Sequence, residues 1–220
     1  KNITMKRVEK NQQTRAKIIE AARTLFVQQS YSKTTIRQIL KKTGITTGSL
    51  YHFFKNKESI LRQITADYLL DTDKIIRSFM KEYDPMVHYI LIIYIQLKLI
   101  DSNPNLADIW QHTYSLWSIT EMVCTKSAKW NKMMFGKYNE NFSDDDWYAR
   151  SMAINSLIHY ITIEKINRGE IPIKNRVHLL MHLVSLLFNT PFNQIESAIE
   201  KAEKIISKNS LQLYGVNLKL

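Results

Sequence analysis

Thr34-Thr-Ile-Arg-Gln-Ile-Leu-Lys-Lys-Thr-Gly-Ile-Thr-Thr-Gly-Ser-Leu-Tyr-His-Phe-Phe-Lys-Asn-Lys-Glu58 reads as two short helices joined by a glycine turn and followed at once by the start of a third. Ile36, Ile39 and Leu40 recur at helical spacing, Gly44 supplies the turn, and Ile45, Leu50 and Phe54 resume a buried face one helix later. This is the spacing of a helix-turn-helix.

The second of these helices has the chemistry of a groove reader. Its first turn holds Thr46, Thr47, Gly48 and Ser49, small residues that let the backbone come close to a partner, and a helix N-terminus offers free N–H groups to phosphates. Tyr51 and His52 follow, rings able to bond a phosphate or lie against a sugar and a thymine methyl. Lys55 and Lys57 bracket Asn56, a good N-cap for the next helix, and both can neutralise backbone charge.

Charge is distributed to match. The 220-residue chain has 31 Lys and Arg against 20 Asp and Glu, net +11. Residues 1–64 carry 14 basic and 3 acidic residues, which leaves 17 of each for the rest, so the entire excess lies in the first third. A basic head on a balanced body is the footprint of a nucleic-acid module carrying a separate domain.

Thr14 to Leu61 closely resembles the N-terminal domain of the TetR family of bacterial transcriptional regulators. The resemblance is carried by Thr14-Arg-Ala-Lys-Ile-Ile-Glu-Ala-Ala-Arg-Thr-Leu-Phe26, by Tyr31, by the helix-turn-helix, and by Tyr51-His-Phe-Phe-Lys-Asn-Lys-Glu-Ser-Ile-Leu61. It implies that Arg37, Thr47, Gly48 and Tyr51 touch bases, and that Thr35, Ser49, His52 and Lys57 hold phosphates. Gly48 has no side chain to read a base, which shifts sequence reading onto Arg37, Thr47 and Tyr51.

Residues 1–13 are polar and basic without apolar period, and read as a flexible arm before a DNA-binding domain over 14–62. The body, residues 63–208, reads as helices throughout, and 209–220 as a tail. Five Gly and four Pro in the chain leave little room for sheet turns, so the fold class is all-α. A helix from Asn56 runs to about Tyr83. Asp84-Pro85 and Asn103-Pro104 open two more, Asp144-Asp-Asp146 favours another helix start, and Gly169 ends that helix. No signal peptide or bilayer-length apolar run is evident, and the single Cys124 cannot form an internal disulfide; the expected location is the cytoplasm.

Two late segments are apolar over more than one face, with Ile154, Leu157, Ile158 and Ile161 in the first and Leu180, Leu183, Val184 and Leu187 in the second. The resemblance implies that the corresponding pair forms a four-helix homodimer interface, joined by the Arg168-Gly-Glu-Ile-Pro172 linker. A two-fold dimer also sets two recognition helices on half-sites about 34 to 36 Å apart.

Between head and interface lie aromatic and methionine side chains suited to an adaptable cavity wall and equally to an ordinary core. The resemblance implies a small-effector cavity here. Tyr94, Trp110, Tyr114, Trp117, Trp130, Met134 and Tyr148 are its candidate wall, with Glu121 as a polar group favouring a cation. His178 and His182 stand four apart, but no third metal ligand is evident. Cys124 with His112 lacks an oxyanion donor, and no phosphate loop or paired carboxylates appear, so neither an enzyme nor a cofactor is expected. The expected protein is a ligand-responsive homodimeric repressor of a palindromic operator, released by an apolar or cationic effector. The alternative is a helical DNA-associated scaffold acting through a protein partner.

Overall fold

The computed structural model describes the backbone of residues 2–168 and 171–220 and the side chains of 7–161 and 171–220. Among the described residues ten α-helices run in chain order: α1 (Asn2–Gln29), α2 (Ile36–Thr43), α3 (Thr47–Phe53), α4 (Lys57–Phe79), α5 (Pro85–Ser102), α6 (Pro104–Ser115), α7 (Trp117–Phe135), α8 (Asp144–Arg168), α9 (Ile173–Leu187) and α10 (Phe192–Ile206). A two-stranded hairpin, β1 (Ser210–Leu213) and β2 (Val216–Lys219), follows them.

Helix ends fall where capping chemistry puts them. Thr35 forms a reciprocal capping box with Gln38 at the start of α2, and Gly44, left-handed at φ 67°, closes that helix by donating to the Leu40 carbonyl at 2.8 Å. Asn56 and Ser59 make the equivalent box at α4, while Asp84 and Asn103 cap α5 and α6 ahead of their prolines. α4 ends at Phe79, earlier than Tyr83. Gly169 lies outside the described residues.

The head is α1 to α3 with the first turns of α4, closed around Ile18, Ala22, Phe26, Ile39, Leu50, Phe54, Ile60 and Leu61. α4 continues unbroken past residue 62, so the expected domain boundary falls inside a helix that belongs to both parts. In the body, α5 is the central element: Val87, Ile90, Leu91, Ile93, Ile95, Leu97, Leu99 and Ile100 are all buried, and α4, α6, α8, α9 and α10 pack around it.

Three expectations are corrected. Residues 2–13 continue α1 as helix instead of forming a flexible arm, because no glycine or proline interrupts a run of good helix formers; residues 7–13 are all exposed. Residues 210–219 form a hairpin instead of a tail. Leu211, Leu213 and Leu218 turn inward while Ser210, Gln212, Asn217 and Lys219 face solvent, the period-two pattern of a half-buried strand pair. The third concerns the interface set. Ile154, Ile158, Leu180 and Val184 are buried within the single chain, with exposures of 2, 7, 0 and 0%, and cannot also form a free surface. Leu157, Ile161, Leu183 and Leu187 are half-buried. Among the described residues, the large apolar groups that these two helices leave in solvent are Met152 and Tyr160 on α8 and Leu179 and Leu186 on α9.

Candidate nucleic-acid interface

α3 buries Leu50 in the head and turns Thr47, Gly48, Tyr51 and His52 outward, with Ser49 half-buried. Thr46 caps it by accepting from the Ser49 amide at 3.2 Å. Tyr51 is 51% exposed, whereas the neighbouring aromatics Phe53 and Phe54 are turned in. A Cβ built on Gly48 would meet no atom within 4 Å, so the protein's own packing does not ask for glycine there. Arg37, Lys41 and Lys42 on α2 and Lys55 before α4 are exposed. The lysine pair at the end of α2 belongs to this basic face; its position ahead of the Gly44 turn is the signal by which sequence alone finds it.

Two expected phosphate ligands are engaged elsewhere. The Thr35 hydroxyl is spent on its cap, accepting from the Gln38 amide at 3.3 Å and donating to the Gln38 amide oxygen at 3.0 Å. Lys57 turns inward, donating to the Tyr31 and Thr34 carbonyls, each at 2.9 Å, and its ammonium stands 4.1 Å from the centre of the Tyr31 ring. Burial holds its pKa below the usual lysine value and pushes the Tyr31 hydroxyl up to about 12. Lys57 is therefore a clamp on the α1–α2 turn, satisfying carbonyls that the helix end leaves open. Lys57→Met is expected to keep the stem and lose about 1.5 to 3 kcal/mol of stability, as for charge-assisted hydrogen bonds, measured by urea unfolding. Unchanged stability would return Lys57 to the phosphate-binding set.

The head is fastened to the body at several places. Ser32 gives its hydroxyl to Asp108 at 2.6 Å and its amide to the same carboxylate at 3.0 Å, with His112 3.4 Å from the hydroxyl. Asn105 donates to the Val27 carbonyl at 2.9 Å, and Ser118 bonds Glu58. His112 is thus part of the joint, while Cys124 is buried with its thiol pushed up to about 11, far from a reactive thiolate.

In the body, the eight effector candidates do not share one wall. Trp117 is 63% exposed, and Glu121 is exposed on the same helix. Tyr94 lines a small crevice with Ile90, His178 and Ile199 on the α10 side, and Met134 borders an open groove of about 500 Å³ between α5, α7 and α10. Trp130 lies edge-on against His88 at 4.8 Å, and Tyr148 is half-buried on α8. Trp110 and Tyr114 do meet, at 6.0 Å between ring centres. Tyr114 bonds Gln96 and stacks on His159 at 5.2 Å, whose Nε2 is buried without a hydrogen-bond partner. Gln96 and His159 were missed because a lone polar residue in an apolar helix carries no local sign of where it points. His178 faces Glu203 at 3.5 Å and His182 lies on Phe192, with no group of three metal ligands among the described residues. Nor is any helix among them long and apolar enough to cross a membrane.

Residues 18–64 match the family described as bacterial regulatory proteins, tetR family. Over 55 residues the chain is 38% identical to the transcriptional repressor KstR2 of Mycolicibacterium smegmatis, covering 25% of this chain and 27% of that protein. Over 170 residues it is 28% identical to YxaF of Bacillus subtilis, an uncharacterised helix-turn-helix regulator, covering 73% and 89%. Among solved structures, RolR in complex with resorcinol is similar in fold, with a TM-score of 0.61 and 16% identity over 90% of this chain and 96% of that one. Head, joint and helical body together agree with these matches: residues 18–64 form a head of the TetR family of bacterial regulatory proteins, on a body similar in fold to that of RolR.

Proposed function

We propose that the chain is a homodimeric transcriptional repressor that binds duplex DNA through α3 and the exposed cations beside it and is released by a small effector held in the body. The observation that carries this reading is Gly48. A glycine within a short helix costs about 0.5 to 1 kcal/mol relative to alanine, and neither backbone conformation nor packing requires it here. Close approach of a partner's surface gives it a reason. The base-reading set is then Arg37, Thr47 and Tyr51, with Ser49 and His52 on phosphates.

Gly48→Ala is expected to stabilise the free protein while weakening DNA binding about tenfold, and Tyr51→Ala to weaken binding by about 1 to 3 kcal/mol with the fold intact. The assay is fluorescence anisotropy on a duplex identified by footprinting DNA that flanks the protein's own gene. Full affinity in both variants defeats the site assignment.

Support for an effector comes from the buried Gln96, the half-buried Tyr114 that it bonds, and the half-buried His159, which stacks on Tyr114 and whose Nε2 has no hydrogen-bond partner. They favour a small, uncharged, largely apolar molecule with one polar group; Glu121, which argued for a cation, is exposed. Binding to the dimer state with wrongly spaced heads would release DNA, and linkage requires operator to weaken effector binding by the same factor. The dimer surface is the exposed apolar face of α8 and α9, Met152, Tyr160, Leu179 and Leu186.

A further inference from the structure

We propose that Tyr214, at the turn of the hairpin, is a positioning residue for the DNA-reading head, and that β1 and β2 form a strap holding α1 onto α4. The inference rests on the DNA-binding reading above only for its functional consequence. The hairpin turns on two residues, Tyr214 and Gly215, with φ of 54° and 73°. This is the geometry in which asparagine or glycine is favoured and a bulky side chain is strained. Tyrosine at the first position is thus an unfavourable choice for the turn itself, and the reason for it lies in what its side chain reaches.

The ring sits at the seam between α1 and α4. Its hydroxyl donates to the Ile64 carbonyl of α4 at 3.1 Å, its face lies 5.8 Å from Tyr68 of the same helix, and the Arg23 guanidinium of α1 stands 5.1 Å from its centre. Burial raises its pKa, keeping the hydroxyl a donor. Along the same seam Arg15 of α1 bonds Gln63 of α4, and Gln63 donates to Asp67 at 2.7 Å. Asp67 meets Arg23 at 3.9 Å, but the Arg23 Nε is buried with no hydrogen-bond acceptor. Tyr214 covers that cation with its π face. The last contact of the ladder joining α1 to α4 is therefore supplied from 150 residues away in sequence, by a hairpin whose β2 strand is anchored on α5 of the body. A strap of this kind fixes the angle of the head, because α1 cannot roll on α4 without uncovering Arg23.

The test uses the full chain and three proteins: wild type, Tyr214→Phe and Tyr214→Asn. Asparagine suits the left-handed turn, so a residue that only builds the hairpin would be replaced without loss. The expected result is hydrogen exchange about 3- to 10-fold faster in the α1 and α4 seam amides of Tyr214→Asn with hairpin amides still protected, and a smaller rise confined to the Ile64 region in Tyr214→Phe. Unchanged seam exchange overturns the strap, as does loss of protection in hairpin and seam alike in Tyr214→Asn with Tyr214→Phe indistinguishable from wild type. Affinity for a duplex selected from random sequences by the wild type is expected to fall with seam protection. If the wild type selects no duplex, the DNA reading fails, and the exchange data still decide the strap.

Discussion

Leu179→Glu combined with Leu186→Glu is expected to turn the proposed dimer into a folded monomer and to lower affinity for the proposed operator by about 10²- to 10⁴-fold, the advantage that linked half-sites confer. Both side chains stand in solvent on α9, 52% and 68% exposed, seven residues apart and so on one helix face. Carboxylates there cost the single chain little, since nothing in its core is disturbed. In a dimer they would be desolvated against apolar neighbours, and against the partner's copies of themselves. Sedimentation gives the oligomeric state, and anisotropy on full and half operators separates lost avidity from a damaged head. A variant that stays dimeric would place the interface elsewhere. The contrast is Leu180→Glu, which strikes a fully buried position and should unfold the chain instead.

Lowering the pH from 6.5 to 4 is expected to remove up to about 3 kcal/mol of stability through one residue, His88. Its side chain is fully buried between the end of α4 and α7. Nδ1 lies 3.1 Å from the Tyr83 hydroxyl, and Nε2 faces the Asp73 carboxylate at 3.3 Å. Arg77 pairs with the same carboxylate at 2.9 Å and stacks on Tyr83, which weakens Asp73 as a counter-charge. Burial dominates, Asp73 opposes it, and the imidazole is pushed down to about 4. The unfolded chain binds a proton near 6.5 and the folded one does not, so stability is complete above 6.5 and declines as pH falls toward 4. Denaturant unfolding at several pH values should show this slope in the wild type and a flatter one in His88→Phe. Equal slopes would mean that His88 titrates normally.

What the sequence conveyed follows from the range of the forces involved. The glycine turn at Gly44 and the helix starts at Asn56, Asp84 and Asn103 act over three or four residues and were legible one by one, whereas Thr35, read as a phosphate ligand, is a cap. The recognition helix was legible for the same reason. Lys57 was not: its partners, Tyr31 and Thr34, are more than 20 residues away, and a lysine beside an N-cap looks the same whether it points to solvent or inward. Ile154 and Leu180 were misassigned because a helix apolar on two faces does not say which face its own chain covers. The hairpin was written plainly in Leu211-Gln-Leu-Tyr-Gly-Val-Asn-Leu218, whose strict alternation is a strand signal, but tyrosine at a left-handed position hid the turn.

The burial of α5 has a mechanical meaning. A helix enclosed by five others is a stator: displacing it would open voids on several sides at once, at about 24 cal/mol for each Å³. Rearrangement that reaches the head is then expected to pass around this axis, through rotation of α4 and α6 against it. Pressure offers a direct gauge, since states that differ by such rotations differ in void volume while a rigid axle contributes nothing to the difference.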